Sequence, residues 1–236
     1  MASKNKAAFI SSNFLKIIAC ILMVIDHAAV IFIGEAPSLW RGIGRLSFPI
    51  FAFMIAEGAI RSKNRLKYVL RLLVFAVISE IPYDWGFKGV FLEWENQNVY
   101  FTLTLGLISV IILKELTKRH LGILAVISTL ILGFGAFFIK SDYGFMGVVV
   151  ITLMGVFNMT KASSKYIGYA LSALLTTIAF VPPLTIGFIP SQFYAVFSAI
   201  PISLYNGKRG KKINKYIFYI FYPAHILILA LIKLLV

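Results

Sequence analysis

Long apolar runs alternate with short polar connections along almost the whole chain. A helix needs about 20 mostly apolar residues to cross a bilayer. On that criterion the pattern predicts nine spans, roughly 13–33, 43–60, 68–85, 99–113, 121–139, 143–159, 166–181, 187–205 and 216–236. The connections are short, so neighbouring helices are expected to pack antiparallel in one all-α bundle, a single domain over residues 1–236. No repeat, long linker or low-complexity tract interrupts it. The second span is short and bounded by arginines, and the sixth is rich in glycine.

Composition agrees with that reading. Of 236 residues, 60% are apolar and only 14% charged, whereas a soluble domain has roughly 45–50% apolar residues. So much apolar surface would leave large exposed patches around any one soluble core. Disorder and disulfide scaffolds are excluded as well, since the chain has a single cysteine, Cys20, which carries no information on redox compartment.

The formal charge of +14 changes the picture only once its distribution is read. Lys4 and Lys6 precede the first span. Arg61, Lys63, Arg65 and Lys67 fill the second loop, and Lys114, Lys118 and Arg119 the fourth. Lys161 and Lys165 lie in the sixth loop; Lys208, Arg209, Lys211, Lys212 and Lys215 lie in the eighth. The third loop instead holds Asp84, Glu93 and Glu95 with one Lys88; the fifth balances Lys140 against Asp142; the seventh, Pro182 to Thr185, is uncharged. Basic loops therefore alternate with non-basic ones, as the positive-inside rule requires. The amino terminus is expected in the cytoplasm and the carboxyl terminus outside. The basic residues share no single face, so no nucleic-acid partner is expected. The first apolar run is too long for a cleaved leader, contains Asp26 and His27, and lacks a small-residue cleavage site, so it reads as an uncleaved helix.

Ionisable side chains at membrane depth are costly and are functional candidates by default. Lys16, Asp26 and His27 fall on the first span, Arg45 and Glu57 on the second, Glu80 and Asp84 at the outer end of the third. Asp142 and Tyr143 stand at the outer mouth of the sixth span, and His225 falls near the middle of the ninth. Lys16 and His27 are eleven residues apart, which returns them to one helix face about 16 Å apart along the axis. Asp26 points about 100° away from His27, so it is expected to meet Arg41 or Arg45, and His27 to be oriented from another helix by Glu80 or Asp142. Cys20 lies too far down the helix to pair with His27. Plainer roles compete. Lys16 could snorkel to the inner interface, Glu57 and Arg61 form an i, i+4 ion pair, Arg41 and Arg45 anchor at the interface, and His225 pack beside the Pro223 kink. Glu80 and Asp84 repel at i, i+4 and call for a cation, a proton or a function. His120 reads as a loop residue. No phosphate-binding glycine loop, zinc spacing or nucleophile elbow is present, and no metal is expected.

These residues carry a resemblance. Leu15-Lys16-Ile17-Ile18 with Ile25-Asp26-His27, the run Arg41 to Phe53, and Ala56-Glu57-Gly58 resemble the opening of the TraX family. So do Ser79 to Asp84, Asn98 to Leu103, Asp142-Tyr143-Gly144 with Gly147-Val148, and Phe221 to His225. The family is named for an enzyme that N-acetylates conjugative pilin, and it is similar to the transmembrane acyltransferases that use acetyl-CoA. Those often carry a basic residue, ten intervening positions and a histidine on their first helix. Lys16 and His27 fit that spacing, with lysine where arginine is common, and Arg41 and Arg45 echo a later arginine pair.

The resemblance implies an acetyl-CoA-dependent N- or O-acetyltransferase in a bacterial cytoplasmic membrane. His27 would be the general base, oriented by Glu80 or Asp142, with Arg45 at the developing oxyanion. Lys16, Arg41 and Tyr143 would contact the donor, while Asp26, Asp84 and His225 would bind acceptor or support the site. The acceptor would be a pilin-like amino terminus or a surface glycan, and a tunnel shared by Lys16 and His27 would carry the thioester. The alternative is a proton- or cation-coupled small transporter using the same intramembrane cluster; the missing internal symmetry argues against it.

Overall fold

The computed structural model describes residues 8–34, 39–160, 165–179 and 191–235. Lys4, Lys6, Lys161 and the expected seventh loop at 182–185 lie outside the described residues. The helices are α1 (Ser12–Ile33), α2 (Leu39–Gly44), α3 (Ser47–Arg61), α4 (Arg65–Lys88), α5 (Val99–Lys118) and α6 (Gly122–Phe138). They continue with α7 (Gly144–Met159), α8 (Lys165–Ala179), a 3₁₀ segment (Ser191–Ser198), α9 (Ala199–Ser203) and α10 (Lys215–Leu235).

Local chemistry explains most boundaries. Ser11, Asn64 and Asn98 each accept a backbone N–H two or three residues on, capping α1, α4 and α5. Gly34 and Gly89 end α1 and α4 with positive φ, which glycine adopts without strain. Four stretches are both long and apolar enough to cross a membrane: Ser12–Ile33, Leu39–Arg61, Val99–Lys118 and Lys215–Leu235. The helices Gly122–Phe138 and Gly144–Met159 are apolar but shorter. The protein is thus a helical membrane protein; among the described residues four of the nine expected spans meet both criteria, and two of the expected spans are broken. The second expected span is two helices, α2 and α3, joined at Arg45 and Leu46. In the eighth, residues 191–203 form the 3₁₀ segment and the five-residue α9. Gln192, Ser191, Ser198 and Pro201 interrupt the apolar run there.

Helix α3 lies at the centre, packed by α1, α5 and α7, while α10 packs on α4 and α1. The core holds Leu15, Ile50, Phe53, Leu107, Ile151 and Met154, all essentially without solvent exposure. Two isolated bridges pin the ends of the bundle, Ile10 with Tyr205 and Gln97 with Ser141. The first sits at an end that also gathers Arg61, which donates to the Gly207 carbonyl, and Lys114, which donates to the Ile60 carbonyl. The second sits at the opposite end, with the Lys140–Glu95 and Lys88–Glu93 pairs. Among the described residues, helix ends and loops rich in cations thus meet at one pole, and the acidic loop lies at the other.

Candidate active site

Two histidines 198 positions apart meet where α1 crosses α10. His27 Nδ1 lies 2.7 Å from His225 Nε2, with the rings stacked at 4.9 Å and 16°. His225 Nδ1 lies 2.8 Å from the Phe221 carbonyl. A carbonyl only accepts, so that Nδ1 carries a proton and, in the neutral ring, Nε2 is the acceptor. His27 Nδ1–H must then be the donor. The chain runs from His27 through His225 to the backbone, and it leaves the lone pair of His27 on Nε2.

Proline supports this arrangement. Pro223 has no N–H to give the Tyr219 carbonyl one turn back, and the Tyr100 hydroxyl donates to that carbonyl instead, at 3.0 Å. The Tyr100 ring also meets Tyr222 edge-on at 5.0 Å. Phe87 approaches His27 edge-on at 5.0 Å, closing one side of the ring.

The charged groups converge from α1, α2 and the α6–α7 connection. Arg41 Nη1 lies 2.8 Å from Asp26 Oδ1, and Arg45 Nη1 lies 3.8 Å from Asp26 Oδ2. Asp26 thus meets both arginines, as the helix geometry of α1 requires. Gly44 makes this approach possible, because a Cβ there would collide with Asp26. Arg45 also donates to the Tyr143 hydroxyl at 3.4 Å. Tyr143 has φ 63°, a left-handed conformation that costs a non-glycine residue energy and that clusters at functional sites. Its ring stacks on Phe48 at 3.7 Å.

Asp142 is placed by backbone. Its N–H donates to the Gln97 carbonyl at 2.8 Å, and its own carbonyl accepts from the Thr102 hydroxyl. In this connection, outside either helix, burial pushes the Asp142 carboxyl up to about 6 against the opposing pull of Arg45. Asp26, His27, Arg45, Asp142 and Tyr143 all line one cavity of ≈ 50 Å³, walled by Phe48, Phe51 and Tyr222. That space holds little more than a water or an acetyl-sized group.

The remaining expected residues lie elsewhere. Glu80 does not meet His27. Its Oε1 accepts from the Asn98 backbone N–H at 2.9 Å and from the Asn98 side chain, while Asn98 caps α5. The start of α5 needs acceptors for its first N–H groups, and that need draws the carboxylate away from the cavity. Asp84, fully buried, pairs with Lys88 at 3.3 Å and accepts from the Glu93 N–H at 2.8 Å. The two acids therefore hold the 89–98 connection. Asp142 lines the His27 cavity, but the partner of the His27 ring is His225. Glu57 and Arg61 form their ion pair at 2.7 Å.

Lys16 lies at the other pole, in a separate cleft of ≈ 370 Å³ lined also by Arg61, Arg71, Arg209, Lys215 and Tyr219. Among the described residues the cleft and the cavity share no lining residue, so they form two separate spaces there and not the single tunnel expected between Lys16 and His27. Their linings nevertheless approach within three residues, Phe51 against Met54 on α3 and Tyr222 against Tyr219 on α10. That is about one helical turn. Tyr100, bonded to Tyr219 and packed on Tyr222, is part of the partition. Sequence reasoning missed Tyr100, Arg71 and Arg209. Arg71 was visible as a cation inside the third apolar run; Tyr100 stood within the Asn98–Leu103 motif but was given no role of its own. Among the described residues no three His, Cys, Asp or Glu converge on a point that would hold a metal ion.

No solved structure matches this chain. A probable fimbrial assembly protein FimC of serogroup H1 from Dichelobacter nodosus is 30% identical over 240 residues, covering 93% of this chain and 94% of its own. The family model described as TraX protein matches residues 11–233. By that match and by the motifs around His27, Arg45, Asp142 and His225, the chain belongs to the TraX family.

Proposed function

We propose that this protein is a multi-pass acyltransferase of the bacterial cytoplasmic membrane. It takes acetyl-CoA from the cytoplasm and acetylates an amine or hydroxyl near the outer face. The observation that carries this reading is the His27–His225–Phe221 chain, which leaves a basic nitrogen on a ring that lines a small cavity together with Arg45, Tyr143 and Asp142. The acceptor N–H or O–H loses its proton to His27 Nε2 as its nitrogen or oxygen bonds the thioester carbonyl carbon. Arg45, with the Tyr143 hydroxyl, faces the negative charge that builds on the carbonyl oxygen. The C–S bond then breaks, and the thiolate recovers the proton from the imidazolium. Asp26 holds Arg41 and Arg45 in place, and Asp142 balances the transient positive charge.

The named role of the Dichelobacter relative in fimbrial assembly supports a pilin-like amino terminus as acceptor; a surface glycan hydroxyl would need the same chemistry. The gathering of cations at one pole supports an amino terminus in the cytoplasm.

The test uses purified protein in lipid nanodiscs with acetyl-CoA and a pilin amino-terminal peptide, following free thiol and acetylated peptide. His27→Ala should lower the rate by about a hundred- to ten-thousand-fold. A wild-type rate in this variant would overturn the assignment. Ion-dependent flux without acetyl transfer would replace it with the transporter reading.

A further inference from the structure

The cleft around Lys16 contains more positive charge than its own residues neutralise. Five cations line it, Lys16, Arg61, Arg71, Arg209 and Lys215, against the single carboxylate Glu57. Arg61 takes that carboxylate at 2.7 Å. Among the described residues, none of the other four lies within ion-pair distance of an acid. The Nε of Arg71 is buried with no hydrogen-bond partner among the described residues, and its guanidinium lies 5.6 Å from the Tyr68 ring. Arg71 stands six residues into α4, about 9 Å from its start, where a cation is costly unless something offsets it. Like charges collected in a walled cleft repel one another and focus a strong positive potential, which selects a multiply charged anion.

We propose that this cleft is a polyphosphate site, with Arg71, Arg209 and Lys215 joining Lys16 on the phosphate oxygens. For the identity of the ligand the proposal rests on the acyltransferase reading: the phosphates are those of coenzyme A. The cleft, at ≈ 370 Å³, falls within the usual range of small-molecule sites, about 300–1,000 Å³. Its inner wall lies one turn from the His27 cavity, so the thiol arm of a ligand held by its phosphates points at the Tyr100 partition. A phospholipid diester would offer the same oxygens but one charge, and would leave most of the cleft's excess unmatched. The soluble polyphosphate is therefore the occupant.

Titration calorimetry of the whole protein in phosphatidylcholine nanodiscs tests this with two probes, coenzyme A and inorganic pyrophosphate. Both should bind and compete. Arg71→Gln and the exposed Arg209→Gln should each weaken both by about tenfold or more, and His27→Ala should bind both as wild type does. Arg209 sits on a surface loop, so its substitution reports on binding even if the Arg71 variant misfolds. Wild-type affinity in Arg209→Gln and a folded Arg71→Gln, or no pyrophosphate binding at all, would overturn the site. Loss of pyrophosphate binding in nanodiscs containing phosphatidylglycerol would assign the cleft to a lipid headgroup and overturn it too. Pyrophosphate binding without competition by coenzyme A would keep the polyphosphate site and remove the acetyl-CoA donor, whereas coenzyme A binding without transfer would leave the site standing and sink the catalytic reading.

Discussion

At the scale of single residues, the question is why a histidine, and not a carboxylate, orients His27. A carboxylate beside the ring in an apolar bundle would carry a charge needing its own partner, at a cost of several kcal/mol. The neutral His225 ring supplies the acceptor without that charge, and its second nitrogen is anchored on the Phe221 carbonyl. His225 is then a positioning residue. His225→Ala should lower kcat about a hundredfold and reshape the pH–rate profile, because the freed ring can present either nitrogen. His225→Gln, whose amide oxygen can accept from His27 Nδ1, should restore much of both. Equal rates and profiles in the two variants would remove the positioning role. Asp142 gives a second residue-scale test. Its carboxyl sits at about 6 against an ordinary 3.8, so folding disfavours its ionised form. The folded state binds more protons than the unfolded one between those values, and this residue makes stability rise as pH falls from about 6 towards 4. Asp142→Asn removes the ionisation. At pH 7.5 it should be more stable than wild type, by at most about 3 kcal/mol, and should lose that pH dependence while losing transfer activity. A melting temperature below wild type at pH 7.5 would show that the Arg45 attraction outweighs burial.

At the scale of helices, α10 depends on a contact that no local pattern announces. Pro223 strips the Tyr219 carbonyl of its helical donor, and Tyr100 on α5 replaces it. Tyr100→Phe should leave that carbonyl unpaired in the bundle interior and destabilise the protein by about 1–3 kcal/mol. It should also lower transfer, because His225 lies two residues beyond the proline. An unchanged melting curve and rate would show that water or another group serves the carbonyl. The same helices show what the sequence made legible. The apolar runs behind α1 and α10 appear at nearly their expected limits, and α5 begins where expected but runs on to Lys118, because length and hydropathy are local properties. The Asp26–Arg41 pair was also readable, since a helix face and a short connection leave few partners for Asp26. The break at residues 45–46 and the 3₁₀ segment were not: both depend on how closely neighbours pack, as Gly44 against Asp26 shows. His225 was recognised as a candidate, but its meeting with His27 depends on the crossing of α1 and α10. No spacing along the chain encodes that crossing, and the expected partner Glu80 was claimed by the cap of α5.

At the scale of the molecule, the two poles differ in charge and carry the two halves of the proposed chemistry. The cleft of Lys16, Arg71 and Arg209 opens among the basic loops and helix ends, and the His27 cavity lies towards the pole of Asp84, Glu93 and Glu95. Acetyl-CoA is made in the cytoplasm, so the proposed reaction requires the basic pole to face inward; the charge rule for loops makes the same demand independently. Cysteine labelling separates this orientation from its inverse. Cys20 is buried, and Cys20→Ala gives a silent background for single probes at the exposed positions Lys63, Glu95 and Lys211. In intact cells made permeable only at the outer membrane, an impermeant maleimide should label Glu95→Cys. Lys63→Cys and Lys211→Cys should label only after the inner membrane is opened. The reverse pattern would place the polyphosphate cleft on the side that has no acetyl-CoA, and the acyltransferase reading would fail with it. Labelling of all three positions from one side would instead show that the poles do not face opposite compartments, leaving the two cavities no membrane to work across.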